Sequence, residues 1–279
     1  MVNLILNPIK THFDPIGSVL QDSQIEDRLD SMFKSEVFGE HNGVCDEDCS
    51  QIEKFKSKIE YDGKNYFVEL PWKNCVVDVN SNYNLCVKVL EKVMEFLKRS
   101  NLVRDYNEIL QQQLKEGIIE EIDLSKVNLK DLKFIPHRPV LKSDRSTTKV
   151  RIVLNCSVKT KNTPSLNESA FPGIDLTGNL FELLLKIRKN KFLVMSDIKQ
   201  AYLMIKLKND GDKNKFVILW EKDGKLIAYR YLTIVFGFIS SAFILNYVIK
   251  FHVSKFPDGL VSQILLNNLY VDNLFFFGK

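Results

Sequence analysis

FLVMSDIKQAYLMIKL (192–207) places a carboxylate, Asp197, at the end of an apolar run of strand character. A charge is tolerated there only where the strand's tip opens to water or to an ion, because desolvating a lone carboxylate is strongly unfavourable. A second carboxylate, Asp272, stands between two short apolar runs in NLYVDNLFFFGK (268–279), which reads as a hairpin with Asp272 at its turn. Taken singly, each aspartate reads as a turn or strand-end residue. If their strands lie side by side in one sheet, the two carboxylates converge. Convergent hard oxygens suit Mg²⁺ or Mn²⁺, ions that keep open positions for water and phosphate oxygens.

Working outward, the periodicity predicts a mixture of helices and strands. YDGKNYFVELPW (61–72) reads as a turn at Asp62–Gly63 feeding a short strand that Pro71 ends. From Asn82, Leu85, Val89, Val93 and Leu97 recur at helical spacing. The pattern breaks near Ser100–Asn101, resumes from Leu102 to Leu114, and Gly117 offers a stop. KVRIVLNCS (149–157) alternates like a strand, and NLFELLLKIRKN (179–190) reads as an amphipathic helix. KFVILWEKDGKLIAYRYL (215–232) is two strands around Asp223–Gly224, and GFISSAFILNYVIKFHV (237–253) is a largely apolar helix, read as core. No internal repeat is present. Residues 1–58 are polar, acidic and weakly periodic, which reads as a linker.

At 279 residues and 45% hydrophobic, the chain can bury a sizeable core. Its net charge of +4 hides a gradient. Residues 1–125 carry 14 basic against 23 acidic side chains, residues 126–215 carry 19 against 8, and residues 216–279 carry 6 against 4. A basic middle third fits either a polyanion-binding face or an ordinary solvated one. Five cysteines without disulfide-like rhythm, no signal peptide and no run of roughly 18 apolar residues point to an intracellular, cytoplasmic location without a membrane span. Cys156 reads as a small buried residue, since no basic partner is evident. His41, Cys45 and Cys49 offer three ligands to zinc, but a fourth is not evident and Asp46, Glu47 and Asp48 crowd them.

Six stretches carry a resemblance: YFVELPW (66–72), IPHRPVLKSDRSTTKVRIVLNCSVKTKNTPSLNES (135–169), PGIDLTGNLFELLLKIRKNKFLVMSDIKQAYLMIKL (172–207), KFVILW (215–220), YRYLTIVFGFISSAFILN (229–246) and LYVDN (269–273). In this order they resemble the reverse transcriptases of long-terminal-repeat retrotransposons, specifically the Pao/Bel class, over about residues 60–279. The resemblance implies an α+β right-hand polymerase fold: a linker or remnant over 1–58, a helical N-terminal part of the fingers over 59–125, and fingers and palm over 126–279. It implies template-directed DNA synthesis by nucleotidyl transfer, with RNA or DNA template-primer and deoxynucleoside triphosphates as partners. Other parts of a polyprotein, in retroelement particles, would accompany it.

Residue by residue, Asp197 and Asp272 match the two metal-binding, catalytic aspartates, and the carbonyl of Ile198 is implied as a further ligand to Mg²⁺ or Mn²⁺. Arg151 matches the arginine that holds the triphosphate, with Lys149 as a helper. Tyr202 matches the aromatic residue under the incoming sugar, and Phe236 and Gly237 match the motif lining the nucleotide pocket. His137 and Arg138 fall on the fingers loop beside nucleic acid.

The chain also departs from the pattern. The family's YVDD reads YVDN, so Asn273 stands where a second aspartate is usual. FDAS reads LNCS (154–157), with Asn155 at an acidic position, and VPFG reads IVFG (234–237). The resemblance further implies that the chain is truncated before the primer-gripping strands, thumb, RNase H and integrase. No Asp-Ser-Gly or Asp-Thr-Gly occurs for a protease. A nucleic-acid-binding fragment of retroelement origin without catalysis is the alternative.

Overall fold

The computed structural model describes residues 46–73, 82–141, 150–160, 163–255 and 260–278. Within the stretch read as a linker, α1 (Asp46–Lys56) is helical. Its Phe55 is buried, and the ring sits 5.3 Å from Phe243 and 5.5 Å from Tyr247. Ile52 packs against the same core, so two apolar side chains dock a helix whose periodicity is too weak to read. The expected turn at Asp62–Gly63 feeds the expected strand, β2 (Tyr66–Val68), which ends before Pro71 and pairs antiparallel with an unpredicted strand, β1 (Glu60–Tyr61). Asp62 closes its turn by accepting the Lys64 and Asn65 N–H groups at 2.8 and 2.6 Å.

Helix α2 (Tyr83–Arg99) buries Cys86, Leu90, Val93, Met94 and Leu97 along one stripe. It breaks where the sequence predicts, with Asn101 left-handed at φ 53 and the Leu102 N–H donating to the Leu97 carbonyl at 2.9 Å. Helix α3 (Val103–Lys115) stops in the same way at Gly117, φ 66, with the Ile118 N–H donating to the Gln113 carbonyl at 2.9 Å. Both ends satisfy the last carbonyls with the paired bonds of a Schellman motif.

Next come β3 (Ile119–Ile122), β4 (His137–Leu141), β5 (Val150–Leu154), the one-turn helix α4 (Leu166–Ser169), α5 (Leu180–Lys189), β6 (Phe192–Asp197), β7 (Ile205–Leu207) and α6 (Asp210–Lys213). Strands β8 (Val217–Lys222) and β9 (Lys225–Tyr231) meet at Asp223 and Gly224, both at positive φ, as a two-residue hairpin of opposite hand to the common turns requires. Helix α7 begins at Ser241 and runs to Lys255, four residues later than predicted, because Gly237 at φ 94 cannot be helical. Helix α8 (Leu260–Asn268) leads into β10 (Leu269–Tyr270) and β11 (Asn273–Gly278).

Pairing is strongly non-local. β2 lies parallel to β7 beside β1, β3 pairs with β9 beside β8, and β4 and β5 form a two-stranded ribbon. β11 sits between β10 and β6. One buried cluster runs from Phe55 to Val248, so packing is continuous across positions 58 and 125. Cys156 is buried, and burial pushes its thiol up to about 12. Among the described residues no helix is long and apolar enough to cross a membrane.

His137 overturns a sequence expectation. It is buried at 4% exposure under Tyr106 and Trp220 rather than beside a ligand. Its Nε2 lies 2.8 Å from the Leu219 carbonyl, so that nitrogen carries the proton, and Nδ1 accepts from the Tyr106 hydroxyl. A β4 position that alternates inward has no other choice. Burial lowers the ring's pKa below the ordinary 6.5. The unfolded chain therefore binds a proton near that pH that the folded chain refuses, and stability should fall as pH drops through it. The slope reaches at most about 1.4 kcal/mol per pH unit for one group. Urea unfolding at pH 7.5 and 5.5 checks this, and His137→Gln should flatten the difference.

Candidate functional site

Strand β6 delivers Asp197 to its C-terminal tip, and β11 runs antiparallel beside it with Asn273 directly opposite Asp197. The Ile198 N–H donates to the Asp272 carbonyl at 2.9 Å. That bond makes Asp197 and Asn273 a non-hydrogen-bonded pair, whose Cα atoms lie roughly 4.5 Å apart with side chains on one face. Asp272 precedes Asn273 at the hairpin tip, where the Asn273 amide donates to its Oδ1 at 3.0 Å. Val271, the other loop residue, is held at φ 58. A β-branched residue there costs of order 1–3 kcal/mol, and the strands on both sides hold it.

Both aspartates line a concavity of about 880 Å³. Arg151 faces it from β5, Gln113 from α3, Gln200 from the turn after Asp197, and Phe236 from the loop before α7. Gln200 has φ 54 and donates to Glu116 Oε2 at 3.1 Å, tying that turn to the end of α3. The Ile198 carbonyl accepts from the Ala201 N–H at 3.2 Å, which leaves one lone pair.

Tyr202 packs edge-on against Phe236, with ring centroids 4.7 Å apart. Partial burial and then the negative charge of Asp272 raise its phenol's pKa, which places hydroxyl and carboxylate in each other's field. Gly237 sits at φ 94, and a Cβ there would lie 2.5 Å from the Leu154 carbonyl oxygen of β5. Arg138 is exposed on β4, opposite Val153, while Arg151 is opposite Val140. The two guanidiniums therefore leave the same face of the ribbon as diagonal neighbours, roughly 7–8 Å apart at their bases.

The structure thus gathers Asp197, Ile198, Arg151, Phe236 and Asp272 around one opening, with Tyr202 packed against Phe236 and Gly237 next to it in the chain, both outside the lining, as is Arg138. Lys149 lies outside the described residues, as do His41, Cys45 and the Cys49 side chain. Among the described residues no group of three or more His, Cys, Asp or Glu could hold a metal ion, so the acidic pair has no third carboxylate. Gln113 and Gln200 went unnoticed in the sequence. Gln113 comes from a helix 84 positions before Asp197, and nothing in its local pattern marks it.

No protein-family model and no curated protein matches the chain. Among solved structures it is similar to the foamy viral protease-reverse transcriptase dRH in complex with double-stranded DNA, at 15% identity and a TM-score of 0.46. The match covers 63% of this chain and 26% of that one. The chain therefore spans about a quarter of that neighbour's length.

Proposed function

We propose that this chain is the fingers and palm region of a reverse transcriptase of Pao/Bel type, binding template-primer and a deoxynucleoside triphosphate at the Asp197–Asp272 opening. The observation that carries the reading is the placement of those two carboxylates at adjoining strand tips with the Arg151 guanidinium facing the same concavity. The donor set fits an oxophilic divalent cation: Asp197, Asp272 and the Ile198 carbonyl would hold Mg²⁺ or Mn²⁺, and hard oxygens are what such ions take. When bound, the ion offsets charge on the attacking and leaving oxygens of phosphoryl transfer.

The chain's own residues have definable tasks in this reading. Arg151 would grip triphosphate oxygens with a planar fork, and Arg138 beside it would follow the backbone of the template. Tyr202, propped by Phe236, would pack under the sugar and exclude a 2′-hydroxyl.

Asn273 favours a second reading, a nucleic-acid-binding fragment without catalysis. Its neutral amide stands opposite Asp197 and occupies an acceptor position of Asp272. One experiment separates the two: primer extension on a primed RNA template with Mg²⁺ or Mn²⁺, using the wild-type chain and Asn273→Asp. Incorporation by either protein supports the polymerase, and the variant, with a restored charge, should be the faster by roughly tenfold or more. No incorporation by either, with retained binding of the primed template in a gel shift, leaves the binding fragment.

A further inference from the structure

We infer that Asn167 is a positioning residue that holds the Phe236–Gly237 wall against strand β5, and so sets the width of the opening between Phe236 and Arg151; this rests on the nucleotide-site reading above. Phe236 lies in the loop between β9 and α7, where Ser241 Oγ donates to the Val235 carbonyl at 2.7 Å and Ser240 Oγ donates to the Phe171 carbonyl at 2.6 Å. Asn167 adds the tie at Gly237 and Ile239 through one amide. Its Nδ2 donates to the Gly237 carbonyl at 3.0 Å, and its Oδ1 accepts from the Ile239 N–H at 2.9 Å. The same Nδ2 donates to Ser157 Oγ at 2.8 Å, and the Asn167 backbone N–H donates to the Cys156 carbonyl at 3.2 Å. The loop is thereby tied to the chain that leaves β5, a few residues beyond Arg151.

The approach is as close as the backbone permits, since a Cβ on Gly237 would meet Leu154 at 2.5 Å. Asn167 is itself aimed by its helix. α4 starts with a capping box in which Ser165 and Glu168 satisfy each other's backbone N–H groups, and Lys159 pairs with Glu168. Asn167 does not line the concavity, so its influence passes through Gly237 and Ile239. A side chain with a donor and an acceptor on one carbon is needed, because the loop presents a carbonyl and an N–H two residues apart.

The test compares the wild-type chain with Asn167→Ala and Asn167→Asp. Native-state hydrogen exchange should show the Ile239 amide opening roughly tenfold more often in the alanine variant, with exchange in α2 and β8 unchanged. The KM for the deoxynucleoside triphosphate in primer extension should rise by a similar factor while kcat moves less than threefold. Asn167→Asp keeps the acceptor for Ile239 but sets a carboxylate oxygen against the Gly237 carbonyl, so it should recover the protection only in part. Unchanged exchange at Ile239 in Asn167→Ala overturns the inference. So does an unchanged KM in an active enzyme whose Ile239 has become labile. A wild-type chain that neither extends a primer nor binds nucleotide sinks the polymerase reading instead, and the exchange result alone then decides whether Asn167 clamps the loop.

Discussion

Replacing Asp197 with Asn should weaken Mn²⁺ binding at the concavity by at least about 100-fold, since even partners one shell removed from a bound metal are worth 10–100-fold. Titrating the paramagnetic ion by electron spin resonance measures this directly and needs no catalysis. The change keeps shape and volume while removing one charge. Asp272→Asn should behave alike. The double variant is the sharper test, because two ligands of one ion are energetically coupled: once the first is lost, the second has little left to contribute. A double variant scarcely worse than either single one is expected. Losses that simply add would show that the two carboxylates do not share an ion, whatever their proximity across β6 and β11. Any primer extension should disappear in all three proteins.

Gly237→Ala should be the most destabilising single methyl group at the site. Two independent penalties act there. The backbone sits at φ 94, where an L-residue is strained by about 1–3 kcal/mol. The new Cβ also meets a carbonyl oxygen of β5, not a flexible side chain, so relief requires moving a strand, and overpacking of that kind costs about 1–3 kcal/mol. Urea unfolding should lose about 2–6 kcal/mol relative to wild type. An alternative is that the loop yields and β5 does not, in which case stability falls little but the Ile239 amide exchanges rapidly. A variant with wild-type stability and wild-type protection would mean that the loop does not lie against Leu154. Gly224→Ala is the control: it shares the positive φ but meets nothing within 4 Å, so it should show the strain without the clash.

Much of the fold was legible because local rules decide it. The breaks at Asn101 and Gly117 were visible because a left-handed residue is the cheapest way to end a helix, and the β8–β9 hairpin because Asp223–Gly224 favours the required backbone. Asp197 and Asp272 could be paired on paper because each ends an apolar strand. What could not be read depends on partners far away in the chain. The burial of His137 follows from Tyr106 and Leu219, 31 and 82 positions distant. Helix α1 escaped notice because, among the described residues, only Ile52 and Phe55 dock it, too few to make a readable period. Gln113, Gln200 and Asn167 carry no pattern of their own.

The sequence by itself therefore determined the α2–α3 break, helix α5, the β8–β9 hairpin and where carboxylates stand at strand tips, since turn chemistry and apolar period act within a few residues. Only the tertiary structure decided that β11 lies beside β6 with Asn273 opposite Asp197, that Arg151 faces the same opening, and that one amide ties its wall in place. Those arrangements are set by pairing and close packing between segments tens of residues apart, where the free energy lies in shape and satisfied hydrogen bonds that no short stretch encodes.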